Sequence, residues 1–406
     1  MNTTTASLSL PDSAPTSARA LLRLLQRLQV GTLDLQCPDG SQLRFGEPQA
    51  QGMRAAMRLK DWQVCSEVMK SGDVGLGESY IAGRWSSPDL PALLRLCLAN
   101  REVIEKAVYG SWWGSLLYRI KHLLNHNSRK GSRRNIQAHY DLGNPFYRLW
   151  LDDTMNYSSA WFNGQLDQPL VPAQQAKMRR AIDECQLQPG QRVLEIGCGW
   201  GAVAECAARD RQVHLTGVTL STEQLAFARQ RLAAQGLDGL TDLRLQDYRD
   251  IPETGFDAIV SIEMFEAVGQ AYWQQYFQTV HDKLKPGGRA CIQSITIRDE
   301  YFDRYVRGTD FIQQYIFPGG LLPSPSVFRA EAAKAGLKLV NSLDFGPDYA
   351  ETLRRWRHDF LAREPQVREL GYDAEFVRLW EFYLAYCEAA FDAGSTSVMQ
   401  FTLQRD

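Results

Sequence analysis

The chain has 406 residues, long enough for two domains, with 44% apolar and 23% charged residues and a formal net charge of −2. That is the composition of a soluble globular protein, and its charge balance argues against a general nucleic-acid binder. No apolar run approaches the length of a membrane-spanning helix, and the eight cysteines include no CxxC pair. The cysteines therefore read as reduced cytosolic thiols, not a disulfide frame or a metal site.

Residues 1–16 are rich in Ser, Thr, Ala and Pro and lack the charged start and apolar centre of a signal peptide, so they read as a disordered tail. Leu21, Leu22, Leu24, Leu25 and Leu28 place a helical stripe within 18–30. Thr32 to Phe45 alternates around Pro38-Asp39-Gly40, the pattern of a hairpin. Helical pieces at 61–71 and 90–99 complete a small α+β unit over 17–125. It carries no nucleophile or ligand cluster. Its apolar faces read first as a private core, and otherwise as a lipid-contacting surface. Oligomeric state stays open, with a homodimer through this unit as one reading.

A polar stretch at 125–135 opens the second domain, 126–406, and holds Arg129, Lys130, Arg133 and Arg134. Such a run is either a solvated linker or a patch for anionic lipid headgroups, where each cation contributes about 1 kcal/mol. The second reading predicts a cytoplasmic protein with peripheral membrane contact. From Lys177 onward, helices alternate with buried strands at 192–196, 213–218, 243–246, 256–262 and 290–297. This alternation predicts an α/β fold with a doubly wound, mostly parallel sheet. Lys285-Pro286-Gly287-Gly288 reads as a turn before the fifth strand. Beyond Ile297 come an aromatic, interrupted stretch (301–315), a turn at Phe317-Pro318-Gly319-Gly320 and a helix over 375–391. These are additions to the core fold, expected to form a substrate tunnel.

The first strand of the alternation runs into Glu195-Ile196-Gly197-Cys198-Gly199-Trp200-Gly201. Glycines there let the backbone bend sharply and approach a ligand that a Cβ would block. In doubly wound sheets this is where nucleotides bind. Gly197, Gly199 and Ala202 also satisfy the weak dinucleotide pattern GxGxxG/A. The second strand, however, ends in Thr219-Leu220-Ser221 with no acid for a nicotinamide ribose. Gln246-Asp247-Tyr248 ends the third strand with an acid able to accept from an adenine amino group and an aromatic to stack on the ring. Together with the Lys285–Gly288 turn, these features point to S-adenosylmethionine. Glu195 then faces its amino group, and Gln224 sits one helical turn past strand two, within reach of the ribose.

Further segments carry a family resemblance. They are His139-Tyr140-Asp141-Leu142-Gly143-Asn144-Pro145-Phe146-Tyr147, then Leu151 to Ala160, Gly217 to Ser221, Phe265-Glu266, Phe317 to Gly320 and Tyr383 to Glu388. Over roughly 135–392 the chain resembles the cyclopropane-fatty-acyl-phospholipid synthases and the related mycolic acid cyclopropane synthases. The resemblance implies a class I methyltransferase fold. It implies transfer of a one-carbon unit from S-adenosylmethionine to a cis double bond of an unsaturated phospholipid or acyl chain. It also implies cofactor contacts at Tyr157 and Ser158, along 193–201 including Glu195, Gly197, Cys198, Gly199 and Gly201, at Thr219, Leu220 and Gln224, and at Asp247, Tyr248 and Arg249. Family members hold a bicarbonate ion beside the reacting centre, at positions matching Ser159, Glu266, Gln293, Ile295 and Tyr349. Cys387 matches a cysteine sometimes marked as active, although an alkene needs no nucleophile and a packed helix cysteine is the physical reading.

Two of these positions depart from the family. It usually has Cys where Ser159 stands and His where Gln293 stands. Ala267 likewise replaces a His often found after the family Glu. A titratable imidazole is lost, which leaves bicarbonate binding and the final deprotonation open. The chemistry asks for an orienting, dry pocket in which a carboxylate and aromatic faces stabilise a carbocation. The aromatic candidates are Tyr157, Phe265, Tyr315, Phe317 and Tyr349. Where the base is misplaced, the product becomes a methyl- or methylene-branched chain instead of a ring.

Overall fold

The computed structural model describes residues 10–47, 52–108 and 142–406. The basic run with Arg129, Lys130, Arg133 and Arg134, the start of the tail, and His139 to Asp141 lie outside the described residues.

The N-terminal unit starts with α1 (Thr16–Leu25), which buries Ala18, Leu22 and Leu24. Strands β1 (Thr32–Gln36) and β2 (Gln42–Phe45) form the expected antiparallel hairpin. At its turn the Asp39 carboxylate accepts from the Ser41 N–H at 3.0 Å. Two further strands were not legible beforehand. β3 (Arg54–Leu59) pairs parallel with β1, and β4 (Trp85–Ser86) pairs antiparallel with β3. Helix α2 (Gln63–Ile81) outruns the expected 61–71 because Gly72, at φ 61 and ψ −130, kinks it without ending it. α3 (Leu90–Ala99) is capped by Asp89, and α4 (Arg101–Val108) follows.

The larger, C-terminal portion is described from α5 (Gly143–Tyr147) and α6 (Leu170–Glu184) onward. The expected alternation then appears, with bounds shifted by a few residues. It runs β5 (Arg192–Ile196), α7 (Ala202–Arg211), β6 (His214–Thr219), α8 (Thr222–Ala234), β7 (Thr241–Leu245), β8 (Phe256–Ile262), α9 (Trp273–Lys283) and β9 (Leu284–Ile297). The turn expected at 285–288 is instead part of β9. A register irregularity between Phe256 and Ala258 absorbs the glycines, and Gly287 takes φ 75 there. The C-terminal additions are α10 (Asp299–Arg307), α11 (Phe311–Tyr315), α12 (Pro325–Lys334), β10 (Leu337–Asp344), α13 (Gly346–Ala362), α14 (Glu364–Glu369), α15 (Ala374–Asp392) and β11 (Thr396–Arg405).

The seven-stranded sheet has the order β10-β11-β9-β8-β5-β6-β7. Five strands are parallel, as expected; β11 runs antiparallel to both β9 and β10. After β7 the chain returns to the far side of β5, so the strand order switches direction between β5 and β8. That places a ligand crevice beyond their carboxyl ends. No described helix is long and apolar enough to cross a membrane.

The N-terminal unit does not keep a private core. Leu22, Leu94 and Trp85 share one apolar cluster with Phe311, Trp356, Trp380 and Phe382 of the C-terminal portion. Close approach explains this: a Cβ on Gly77 of α2 would lie 2.4 Å from the Phe311 ring. Charge reinforces the contact, since Arg95 of α3 pairs with Asp392 of α15 at 2.6 Å. A Gly77→Val variant is therefore expected to lose about 1–3 kcal/mol of stability through overpacking. Denaturant unfolding measures this, and an unchanged midpoint would show that α2 is not held against α11.

Candidate active site

A cavity of about 320 Å³ opens at the switch point. Most of the expected cofactor residues line it: Tyr157, Ser158, Glu195, Gly197, Cys198, Gly199, Thr219, Leu220, Gln224, Asp247, Tyr248 and Arg249. Gly201 is not among the lining residues. At φ 82, with Ala228 Cβ only 2.9 Å from where its own Cβ would be, it serves the packing of α7 on α8. Gly199 is different, because a Cβ there would meet nothing within 4 Å.

The local chemistry fits a cationic, adenosine-bearing cofactor. Glu195 is 3% exposed, and its Oε2 has no hydrogen-bond partner among the described residues. Burial pushes its carboxyl well above the usual range, so an incoming ammonium would gain a partner and restore the charge. Thr219 Oγ1 donates to Gln224 Oε1 at 3.0 Å, while Ser221 Oγ caps α8 by accepting the Gln224 N–H at 3.2 Å. Asp247 is held by Arg249 through bonds of 2.8 and 2.6 Å, so its carboxylate is already ion-paired. Tyr248 packs edge-on against Tyr276 at 5.5 Å.

Glu266, Ile295, Tyr349 and Cys387 also line the cavity, whereas Ser159 and Gln293 are fully buried behind it. What draws these together is a residue not singled out from the sequence, Glu263. It lines the cavity directly after β8. Its Oε1 accepts the Ser159 N–H at 2.8 Å and Gln293 Nε2 at 2.7 Å, and its Oε2 accepts Tyr349 Oη at 2.7 Å. Ile295 N–H goes instead to Glu266 Oε1. Three of the five groups expected around a bicarbonate therefore bond to a carboxylate that the chain itself supplies. Glu263 sits at φ 50, a left-handed conformation disfavoured for any residue with a side chain. Such strain persists only where the surroundings over-determine it, and here three donors and the Gln293 carbonyl, which accepts the Glu263 N–H at 2.8 Å, do so.

The two carboxylates differ in environment. Burial raises the Glu266 carboxyl to about 8, and the charge of Glu263 adds to this. Burial also raises Glu263, but the Lys177 ammonium and the three donors oppose it. An ammonium and three donors thus favour the charged form on Glu263, whereas the neighbouring carboxylate disfavours it on Glu266. Glu266 Oε2 has no partner among the described residues.

The aromatic candidates divide. Tyr157, Phe317 and Tyr349 line the cavity, and Tyr157 shares a hydrogen bond of 2.7 Å with Tyr383, a lining residue not anticipated. Phe265 lies in the core, stacked on Trp273. Tyr315 is not among the lining residues and donates to Glu78 of α2. Burial pushes the Cys387 thiol far up, which leaves it without thiolate character.

Comparison with known proteins gives consistent matches. The family model described as mycolic acid cyclopropane synthetase matches residues 127–401. A tuberculostearic acid methyltransferase of Mycobacterium tuberculosis is 38% identical over 402 residues, 97% of this chain and 92% of that protein. The cyclopropane-fatty-acyl-phospholipid synthase of Escherichia coli is 36% identical over 351 residues, covering 86% and 88% of the two chains. Among solved structures, mycolic acid cyclopropane synthase CmaA1 complexed with SAH and CTAB superposes with a TM-score of 0.63. It is 33% identical, covering 67% of this chain and 98% of that one.

Proposed function

The chain belongs to the mycolic acid cyclopropane synthetase family, and from this we propose that it adds a one-carbon unit to a cis double bond of an unsaturated phospholipid acyl chain, with Glu263 taking up the released proton. It is an S-adenosylmethionine-dependent methyltransferase of class I fold that acts on lipid. The residues that would hold the cofactor are Tyr157, Ser158, Glu195, the turn through Gly199, Gln224 and Asp247. When bound, it supplies an electrophilic methyl group. The cavity's apolar walls orient the olefin and exclude water, and Tyr157 and Tyr349 present aromatic groups to the developing cation. The π electrons form the new carbon–carbon bond, and the neighbouring alkene carbon becomes cationic. A proton then leaves the transferred methyl for Glu263, and the freed C–H pair closes the ring.

The observation that carries this reading is the Glu263 carboxylate on Ser159, Gln293 and Tyr349. Three of the five groups that the family resemblance assigned to bicarbonate bond to it, which supports a carboxylate of the chain in that role. Product formation is thus expected to change by less than about twofold when bicarbonate is stripped from the assay. A loss of tenfold or more, recovered on adding the ion back, would return the base to bicarbonate.

One observation favours a second product. Three donors on one carboxylate weaken it as a base. Slow deprotonation gives time for a hydride to move from the methylated carbon to the cationic one. The same proton loss then yields a methylene branch on the open chain. The relative that matches nearly the whole chain is named a tuberculostearic acid methyltransferase. Incubation with S-adenosylmethionine and vesicles of cis-monounsaturated phospholipid tests the reading. One CH2 should be gained per double bond, and proton NMR separates ring from alkene signals. No gain of mass by a folded protein that binds the cofactor would refute it.

A further inference from the structure

We propose that helix α6 keeps the Glu263 carboxylate ready to accept a proton by means of two cations, Lys177 and Arg180, which act as positioning residues and touch no reactant. The inference rests on Glu263 being the base.

Arg180 reaches Glu263 through two buried amides. Its Nη1 donates to Gln400 Oε1 at 2.6 Å, Gln400 Nε2 donates to Gln293 Oε1 at 3.0 Å, and Gln293 Nε2 donates to Glu263 Oε1 at 2.7 Å. The ends fix the direction of the chain. A guanidinium only donates and a carboxylate only accepts, so each amide has one orientation. All dipoles then point the same way, and each bond polarises the next toward negative charge on Glu263. Gln400 is further locked because its Nε2 also donates to the Lys177 carbonyl at 3.1 Å. Gln293 and Gln400 have no solvent exposure. This gives the Gln at 293 a purpose, since an amide can link a distant cation to the carboxylate.

Lys177 works from the other side. Its side chain is fully buried, and Nζ donates to Ser158 Oγ at 2.5 Å. The next residue, Ser159, gives its N–H to Glu263. Gln174, one helical turn before Lys177 in sequence, holds the same loop by donating to the Ser158 carbonyl at 2.9 Å. Burial lowers the Lys177 ammonium to about 8, and the charges of Glu263 and Asp152 oppose that loss. The groups facing Glu263 are thus Lys177 from α6, Ser159 from the preceding loop, Gln293 from β9, Tyr349 from α13 and Glu266 from its own turn, with Asp152 beyond Lys177. Among the described residues, Lys177 brings positive charge to Glu263 directly, and Arg180, itself paired with Glu184 at 3.3 Å, does so through the amides. Without them a buried carboxylate next to a second one would retain its proton.

The test is product formation against pH for the full-length protein and its Lys177→Met, Lys177→Arg, Arg180→Gln and Gln400→Leu variants. Glu263→Gln serves as reference, with cofactor affinity by calorimetry and thermal midpoints alongside. Lys177→Met and Gln400→Leu should lower turnover at pH 7 by about tenfold or more, as loss of an orienting outer partner does. The acid limb of the profile should rise by roughly one pH unit or more, because the base holds its proton longer. Lys177→Arg should restore both, and Arg180→Gln, a change at a partly exposed end, should reproduce the Gln400→Leu profile if that variant folds poorly. An unshifted profile, with or without a fall in turnover, would overturn the inference while an inactive Glu263→Gln left the base assignment standing. A fully active Glu263→Gln would overturn both.

Discussion

Glu263→Gln should cut product formation by about two orders of magnitude or more while leaving cofactor affinity within a few-fold, because a general base contributes on that scale and the amide is nearly isosteric. The substitution removes the charge and one acceptor but keeps the volume after β8. With the amide oxygen at the Oε1 place, the Ser159 N–H and Gln293 Nε2 keep their acceptor and Tyr349 Oη can accept from the new NH2; in the flipped orientation both N–H donors would face that NH2. Rate at saturating cofactor and calorimetric binding separate the roles. The acid limb of the wild-type profile should also lie above the ordinary carboxylate range of about 4–4.5, since burial raises Glu263. The sign is that activity appears as pH climbs through the raised value and the base loses its proton.

Trp356→Ala should cost about 3–5 kcal/mol of stability, the usual range for deleting a buried tryptophan side chain. Trp356 is fully buried on α13. Its ring lies 5.7 Å from Trp150, 5.6 Å from Tyr157 and 6.1 Å from Tyr349. It therefore backs two cavity-lining tyrosines as well as the shared core. Denaturant unfolding would read the stability, and turnover measured well below the midpoint should fall too, as Tyr157 and Tyr349 lose their support. A variant of wild-type stability would mean that this aromatic cluster does not hold the cavity wall.

The glycine turn and the five parallel strands were legible because their requirements are local. A backbone that must bend at Gly197 needs glycine, and apolar runs between helical stripes need a sheet. The last two strands, β10 and β11, were hidden for a nameable reason. Within β11, Gln400 and Thr402 are fully buried, so the segment lacks a clean apolar pattern. Gln400 is tolerated there only because Gln293, Lys177 and Arg180 satisfy its amide. The shared core was missed similarly, since the contact of Gly77 with Phe311 spans elements far apart in sequence. Most of the residues expected to hold the cofactor, from motifs or from the family resemblance, line the cavity, apart from Gly201, which packs helices. Glu263 escaped because its importance arises from partners at 159, 293 and 349. The one local signal was an acid directly at the end of an apolar strand, three residues before Glu266.

The most direct measurement uses S-adenosylmethionine with a fully deuterated methyl group and a cis-monounsaturated phospholipid. If the transferred methyl gives up a hydron to Glu263, lipid from the wild-type protein will gain a carbon bearing two deuterium atoms, whether it closes to a ring or opens as a methylene. Lipid that keeps all three deuterium atoms, or a label found on an oxygen or nitrogen, would contradict the account.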